Sequence, residues 1–235
     1  MRSIDSSPLA KFLVAALVFA LIIVGWRLYD RYRPVTATLP NAGSVQQDCA
    51  LWFVGSSSIH RWTSLQQDMT PWTTHNRGIN GATLADILPR FANIDAAEGR
   101  PRALILYVGE NDIASGVPVR TVMRQVALLF DLRDRLLPGV PVLLLSAKPS
   151  PGRQQFLGEQ RLFNAAAQRF LPHMQTAHYA DITTPLLVDG KLGDNYQADG
   201  VHMNANGYRI WAEVVRRRLD DILPAAVTQR CAPGI

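Results

Sequence analysis

The sequence predicts an α/β/α sandwich built on a parallel sheet, with one membrane-spanning helix ahead of it. Three observations carry that expectation. Three unbroken apolar runs read as strands covered on both faces. Stretches with helical periodicity alternate with them, as in α/β sandwiches. A single charge-free run lies near the N-terminus.

Composition narrows the choice further. A chain of 235 residues, 48% hydrophobic and 18% charged, has room for one full α/β core rather than two domains. Its 16 glycines and 15 prolines are too few for a collagen-like or low-complexity protein. Two cysteines exclude a disulfide-dense scaffold and a cysteine zinc cluster. The net charge of +5 is spread along the chain. Its densest run, Arg216-Arg217-Arg218, lies in a helical pattern beside Asp220 and Asp221 and reads as a solvated helix face, so no nucleic-acid partner is expected.

The first element is residues 12–26, FLVAALVFALIIVGW, which carry no charge. At 1.5 Å per residue the run is about 22 Å long, short of a hydrocarbon core of roughly 30 Å. Lys11 and Arg27 can snorkel, and Trp26 and Tyr29 suit the interface. The expectation is an uncleaved signal anchor over residues 1–29. The rivals are a cleaved signal peptide, although no small-x-small site follows, and a buried helix. Arg2 and Lys11 before the run balance Arg27, Arg31 and Arg33 after it, so the positive-inside rule gives no orientation. Residues 30–48, with Pro34, Pro40 and Asn41-Ala42-Gly43, read as a linker, and 49–235 as the folded domain.

Within that domain the strands are residues 51–54, ended by Gly55, then 102–108, ended by Gly109, and 141–146. Residues 73–76 and 177–182 are less apolar candidates. Helical periodicity marks 82–91, 117–136, 154–170 and 206–223. The last helix of such a fold runs antiparallel to the strands, so its C-terminal end returns to the edge where the first strand begins. Cys49 and Cys231 can then meet as a disulfide, worth roughly 4–5 kcal/mol in the chain-entropy model, or remain two free thiols. A bond fits an oxidising compartment, and with the anchor it predicts a single-pass protein whose domain is periplasmic or otherwise extracytoplasmic.

Ligands of open α/β sheets sit beyond the carboxyl ends of the strands, and four motifs fall there or on late loops. Gly55-Ser56-Ser57-Ser58 follows the first strand. It supplies a nucleophilic serine on an exposed turn, or a plain N-cap. Asn80-Gly81-Ala82-Thr83 is either a close-approach backbone N–H or an ordinary β-to-α turn. Gly109-Glu110-Asn111-Asp112 offers Asn111 as a donor to a developing oxyanion and Asp112 as an acceptor for loop N–H groups, or it is simply a turn. Asp199-Gly200-Val201-His202 lets a carboxylate fix an imidazole tautomer; among His60, His75, His173, His178 and His202, only His202 has a carboxylate at this spacing. Together the four supply a nucleophile, two oxyanion donors and an acid–base pair, a complete acyl-transfer set.

Over roughly residues 52–219 the chain resembles the SGNH hydrolases, or GDSL esterases. Its stretches GSSSIHRW, NRGINGATLADIL, LYVGEND, SAKPSPGR and DGVHMNANGY are similar to the platelet-activating-factor acetylhydrolase-like branch. The resemblance implies a flavodoxin-like three-layer sandwich with five parallel strands. It implies Ser57, not Ser56 or Ser58, as nucleophile, with Ser56 standing where the family usually has aspartate. It matches Gly81, Asn111, Asp199 and His202 to the family's later blocks. The expected activity is hydrolysis of carboxylic esters through a Ser57–His202–Asp199 triad and an acyl-enzyme. The backbone N–H groups of Ser57 and Gly81 and the Asn111 amide form the oxyanion hole, with no metal and no cofactor. Transfer of the acyl group to a cell-envelope glycan, or a non-catalytic binding module, would use the same fold. Lys148, Ser150 and Arg153 after the fourth strand are substrate-binding candidates, or parts of a proline-braced loop. Expected partners are a small-molecule, lipid or glycan ester and, through residues 12–26, a membrane. Oligomeric state is not readable.

Overall fold

The computed structural model describes residues 8–32, 35–41 and 48–232, with the side chains of 8–10 and 26–32 excepted. Two compact units are present, residues 1–36 and 37–235. The first contains helix α1, Pro8–Tyr32.

The expectation of a transmembrane anchor is corrected here. Among the described residues no helix is long and apolar enough to cross a membrane. The charge-free run behind that expectation is only about 22 Å long as a helix, well under the roughly 30 Å of hydrocarbon. The single-pass, extracytoplasmic placement built on it falls with it. The expected roles of Trp26, Arg27 and Tyr29, and the charge balance involving Arg2, Arg31 and Arg33, lie outside the described side chains. So do residues 33–34 and 42–47 of the expected linker.

The second unit begins with β1, Ala50–Gly55, which runs into the short helices α2, Ser57–His60, and α3, Leu65–Asp68. Strand β2, Thr73–Gly78, leads to helix α4, Leu84–Ala92. Strand β3, Ala103–Tyr107, is followed by α5, Glu110–Ala114, and α6, Val119–Leu136. Strand β4, Val142–Leu145, leads through a 3₁₀ segment, Pro151–Phe156, into α7, Leu157–Phe170. Strand β5, Ala177–Ala180, precedes a small hairpin of β6, Leu187–Val188, and β7, Lys191–Leu192. Helices α8, Ala205–Ile222, and α9, Ala225–Cys231, complete it.

The five long strands form one sheet in the order β2-β1-β3-β4-β5, and every pair is parallel. Alternation along the strands sorts side chains between two cores. Trp52, Val54, Leu104, Leu106, Val142 and Leu144 pack with Ile87, Phe91, Val126, Phe130 and Phe163 of α4, α6 and α7. Leu51, Phe53, Ile105, Tyr107, Leu143 and Leu145 pack with Trp62 and with Trp211, Val215 and Leu219 of α8. This is why the strands read as unbroken apolar runs: both faces are covered.

The order also sets the location of any site. The chain steps from β1 outward to β2 and then returns to the other side of β1 as β3. The carboxyl ends of β1 and β3 therefore flank a topological switch point, where open sheets of this kind bind ligands. Two glycines allow the close approach there. A Cβ on Gly55 would lie 2.3 Å from the Tyr107 carbonyl oxygen, and one on Gly78 2.2 Å from the His60 nitrogen. Both neighbours are backbone and cannot yield cheaply.

Segment 37–41 is packed into this unit although it shows no periodicity in sequence. Leu39 is buried in the core. Buried Arg77 donates from Nε to the Pro40 carbonyl at 3.0 Å, pairs with Glu98, and lies 4.2 Å over the Trp52 ring. Backbone carbonyls and one guanidinium do the anchoring, and neither leaves an apolar pattern to read.

Cys49 and Cys231 form a disulfide, with Cα atoms 5.3 Å apart and 182 residues of separation. It joins the start of β1 to the end of α9. Closing so long a loop contributes up to about 5 kcal/mol through the unfolded state. Replacing both cysteines by serine should lower the urea midpoint by a matching amount; an unchanged midpoint would show that the bridge adds no stability.

Candidate active site

The serine turn is built by β1 and the segment that follows it. Ser56 is in extended conformation at the N-cap of α2, and its N–H donates to the Tyr107 carbonyl at 3.3 Å. That bond ties the turn to β3. On the other side, the Tyr208 hydroxyl donates to the Ser58 carbonyl at 2.8 Å. Tyr208 stacks on Trp62 with centroids 5.0 Å apart, so α8 clamps the turn. Burial pushes the Tyr208 phenol well above its usual range, so it stays a neutral donor. Ser57, 7% exposed, sits at the first position of α2.

The imidazole comes from the loop before α8. Tyr196 and Met203 make an antiparallel bridge, and the Gln197 N–H donates to the His202 carbonyl at 2.8 Å. Gly200 takes φ +66, the left-handed region that suits glycine, and folds Asp199 back toward His202. Asp199 Oδ1 then accepts from the backbone N–H groups of Val201 and His202, each at 2.9 Å. Its Oδ2 lies 2.6 Å from His202 Nδ1. The other ring nitrogen, Nε2, is 2.9 Å from Ser57 Oγ. Residues 145 apart in sequence thus form one chain from carboxylate to imidazole to hydroxyl. Of the three serines in the turn, Ser57 is the one whose hydroxyl meets the ring.

Burial pushes the Asp199 carboxyl up, but the bonds from the His202 N–H, its ring and the Val201 N–H outweigh that and hold it well below the usual carboxylate range. Arg61 adds an ion pair to Oδ2 at 3.6 Å, on the exposed side. Asp199 is therefore ionised at neutral pH, and its carboxylate can fix the ring with Nδ1–H directed at it.

The remaining groups converge from β2 and β3. Gly81 takes φ +73 with open space where a Cβ would stand. Among the described residues, neither the Ser57 nor the Gly81 N–H is engaged by a backbone carbonyl. Asn111, on α5, donates from Nδ2 to the Ala82 carbonyl at 2.9 Å and accepts at Oδ1 from Arg153 Nη2 at 2.8 Å. One amide proton is left over. Buried Asp112 accepts the Leu84 N–H at 3.1 Å on both oxygens and so ties α5 to the start of α4. Burial pushes its carboxyl up, partly offset by those bonds.

The residues expected to contact substrate after β4 part company. Lys148 is fully buried and pairs with Glu110 at 3.2 Å, so it does not reach a ligand. Ser150 is buried and lines a cavity of about 290 Å³ that none of Ser57, Asn111 and His202 lines. Arg153 reaches Asn111 and, at 3.2 Å, Glu110. Glu110 and Tyr208 went unremarked in sequence, although both lie within motifs singled out there. Among the described residues no cluster of histidine, cysteine and carboxylate groups is able to hold a metal ion.

The profile of the GDSL-like Lipase/Acylhydrolase family matches residues 44–210, which include the whole of this site. The chain belongs to that family. As a GDSL-like acylhydrolase it is a carboxylic ester hydrolase, and the acetylhydrolase-like branch implied by its motifs finds support among relatives. The enzyme is 24% identical over 199 residues to platelet-activating factor acetylhydrolase IB subunit alpha1 of Rattus norvegicus, covering 83% of each chain. Its fold is similar to a GDSL-like lipase from Bacteroides thetaiotaomicron (TM-score 0.59, 21% identity, 83% of this chain and 98% of that one). It is also similar to a mutant acetyl-xylooligosaccharide esterase from Geobacillus Stearmophilus (TM-score 0.60, 15% identity, 75% and 96%).

The lowered Asp199 pKa has a signed consequence for this acylhydrolase. The stabilisation from its ionised form is complete above the ordinary aspartate value near 4 and is lost only as pH falls through the lower folded value. Thermal melts of the parent and Asp199→Asn should differ fully above about pH 4 and converge below it. A gap that does not depend on pH would contradict this.

Proposed function

We propose that the enzyme hydrolyses carboxylic esters through an acyl-enzyme on Ser57, with His202 as general base and acid and Asp199 as the group that orients it. The observation that carries this reading is the His202 ring held between Asp199 at 2.6 Å and Ser57 Oγ at 2.9 Å. A ring nitrogen within hydrogen-bond reach of a hydroxyl, with a third group orienting the ring, is the arrangement that activates a serine.

In this mechanism Ser57 Oγ attacks the ester carbonyl carbon while its proton passes to His202 Nε2. The imidazolium so formed is stabilised by the Asp199 carboxylate through Nδ1–H. Negative charge develops on the former carbonyl oxygen, where the N–H groups of Ser57 and Gly81 and the free Asn111 amide proton receive it. Donors held in place before the charge appears need little reorganisation to receive it. The tetrahedral adduct collapses, and His202 gives its proton to the departing alkoxide. Water then attacks the acyl carbon with His202 again as base; the bond from that carbon to Ser57 Oγ breaks as His202 returns the proton to this oxygen, and the carboxylic acid leaves.

The acetyl esters named in the descriptions of two of the relatives above make short acyl chains the first substrates to try. Ser57→Ala should abolish turnover of p-nitrophenyl acetate and labelling by a fluorophosphonate probe; labelling that persists would move the nucleophile elsewhere. Asn111→Ala should lower kcat by about 10²–10³-fold with little change in KM, the effect of removing one side-chain oxyanion donor. A kcat near the parent's would take Asn111 out of the hole.

A further inference from the structure

Behind Asn111 lies a cluster of buried charge with no part in the mechanism so far. Glu110, the preceding residue on α5, is 3% exposed. Its carboxylate accepts from Lys148 Nζ at 3.2 and 3.3 Å and from the Tyr107 hydroxyl, and forms an ion pair, without a hydrogen bond, with Arg153 Nη1 at 3.2 Å. Lys148 is fully buried and the Arg153 side chain is 19% exposed. Two cations face one carboxylate, which leaves one positive charge in excess. That excess lies where Arg153 Nη2 donates to Asn111 Oδ1 at 2.8 Å.

Burying Glu110 and Lys148 and partly burying Arg153 is costly, and an apolar cluster of equal volume would stabilise a fold at least as well. The arrangement therefore calls for a reason beyond stability. Asn111 supplies one. An amide is a conjugated group, so a charged donor on its oxygen draws electron density from its nitrogen and strengthens the N–H as a donor. With Oδ1 on Arg153 and one Nδ2 proton on Ala82, the amide plane is held from both ends and the second Nδ2 proton has one direction left.

The backbone around Arg153 is built to deliver it. Its φ of −133 and ψ of 27 break the 3₁₀ segment at this residue. The preceding Gly152 N–H donates to the Gly200 carbonyl at 2.8 Å, and a Cβ there would lie 2.9 Å from Val201 Cγ2. The strap carrying Arg153 is thus seated on the turn that carries Asp199 and His202.

We propose that Arg153, held by Glu110, is a positioning residue that orients and polarises the Asn111 amide for the oxyanion, rather than a contact for the substrate. This rests on the oxyanion role given to Asn111 above.

The test is a double-mutant cycle on p-nitrophenyl acetate, with kcat and KM measured separately for the parent enzyme, Arg153→Met, Asn111→Ala and the double variant. Arg153→Met should lower kcat roughly 10- to 100-fold, less than the 10²–10³ lost with the donor itself, with KM within about threefold. The double variant should be no slower than Asn111→Ala alone, because a residue acting through Asn111 has nothing left to act on. Arg153→Lys keeps the charge and one donor and should recover part of kcat; it also replaces Arg153→Met if that variant does not fold. Losses that multiply in the double variant, a rise in KM at constant kcat, or an inert Asn111→Ala each overturn the proposal. A Ser57→Ala enzyme that remains active would instead overturn the triad, independently of the cycle.

Discussion

A serine can stand at the carboxyl end of β1 only because nothing projects between that strand and its neighbours. Gly55 lies directly under the Tyr107 carbonyl and Gly78 directly against the His60 nitrogen, at distances that admit no side chain. Closeness at the strand ends lets the Ser56 N–H reach across to β3 and holds the serine turn at the point where the sheet reverses its order. The other components of the site come from separate loops, and His202 is the one whose ring meets the Ser57 hydroxyl. Asn111 arrives at the end of β3, Arg153 after β4, and the Asp199–His202 turn ahead of α8.

Charge in this enzyme is arranged by depth. The acid–base turn is at the rim, where Asp199 is 41% exposed and is kept ionised by hydrogen bonds rather than by a buried partner. Glu110 and Lys148 lie beneath, out of contact with water, with Arg153 partly exposed beside them, and a buried charge acts most strongly on its neighbours. Burial lowers the Lys148 ammonium and Glu110 raises it again; the Tyr107 phenol is raised by burial and by the same carboxylate.

Much of this was legible in the sequence, for identifiable reasons. The strands at 51–54, 102–108 and 141–146 stood out because both faces of the sheet are covered. Helices α6, α7 and α8 stood out because each has one apolar stripe long enough to repeat. Helices α2 and α5 did not, since four or five residues show no period. The serine turn, Asn111, Asp199 and His202 could be picked out because each carries a local turn signature, and the family resemblance singled out Ser57 within the turn, even though 145 residues separate the serine from the imidazole. Glu110 could not: its meaning comes from Lys148, 38 residues away, and from Arg153, and no short motif announces a distant ion pair. The same blindness made Lys148 look like a ligand contact, because a lysine after a strand reads alike whether it faces solvent or a buried carboxylate. The run at 12–26 misled in a different way, since freedom from charge was read as a span that its length does not supply.

The bond between Cys49 and Cys231 turns the whole catalytic unit into a covalent ring. Ser57 and His202 both lie on that ring. A single backbone cut anywhere between them, for example in the tip at Asp189-Gly190, opens the ring without releasing either piece. The two halves stay tethered and can re-seat against one another as parts of one molecule. A protease would have to cut twice, or a reductant act first, before Ser57 and His202 could diffuse apart.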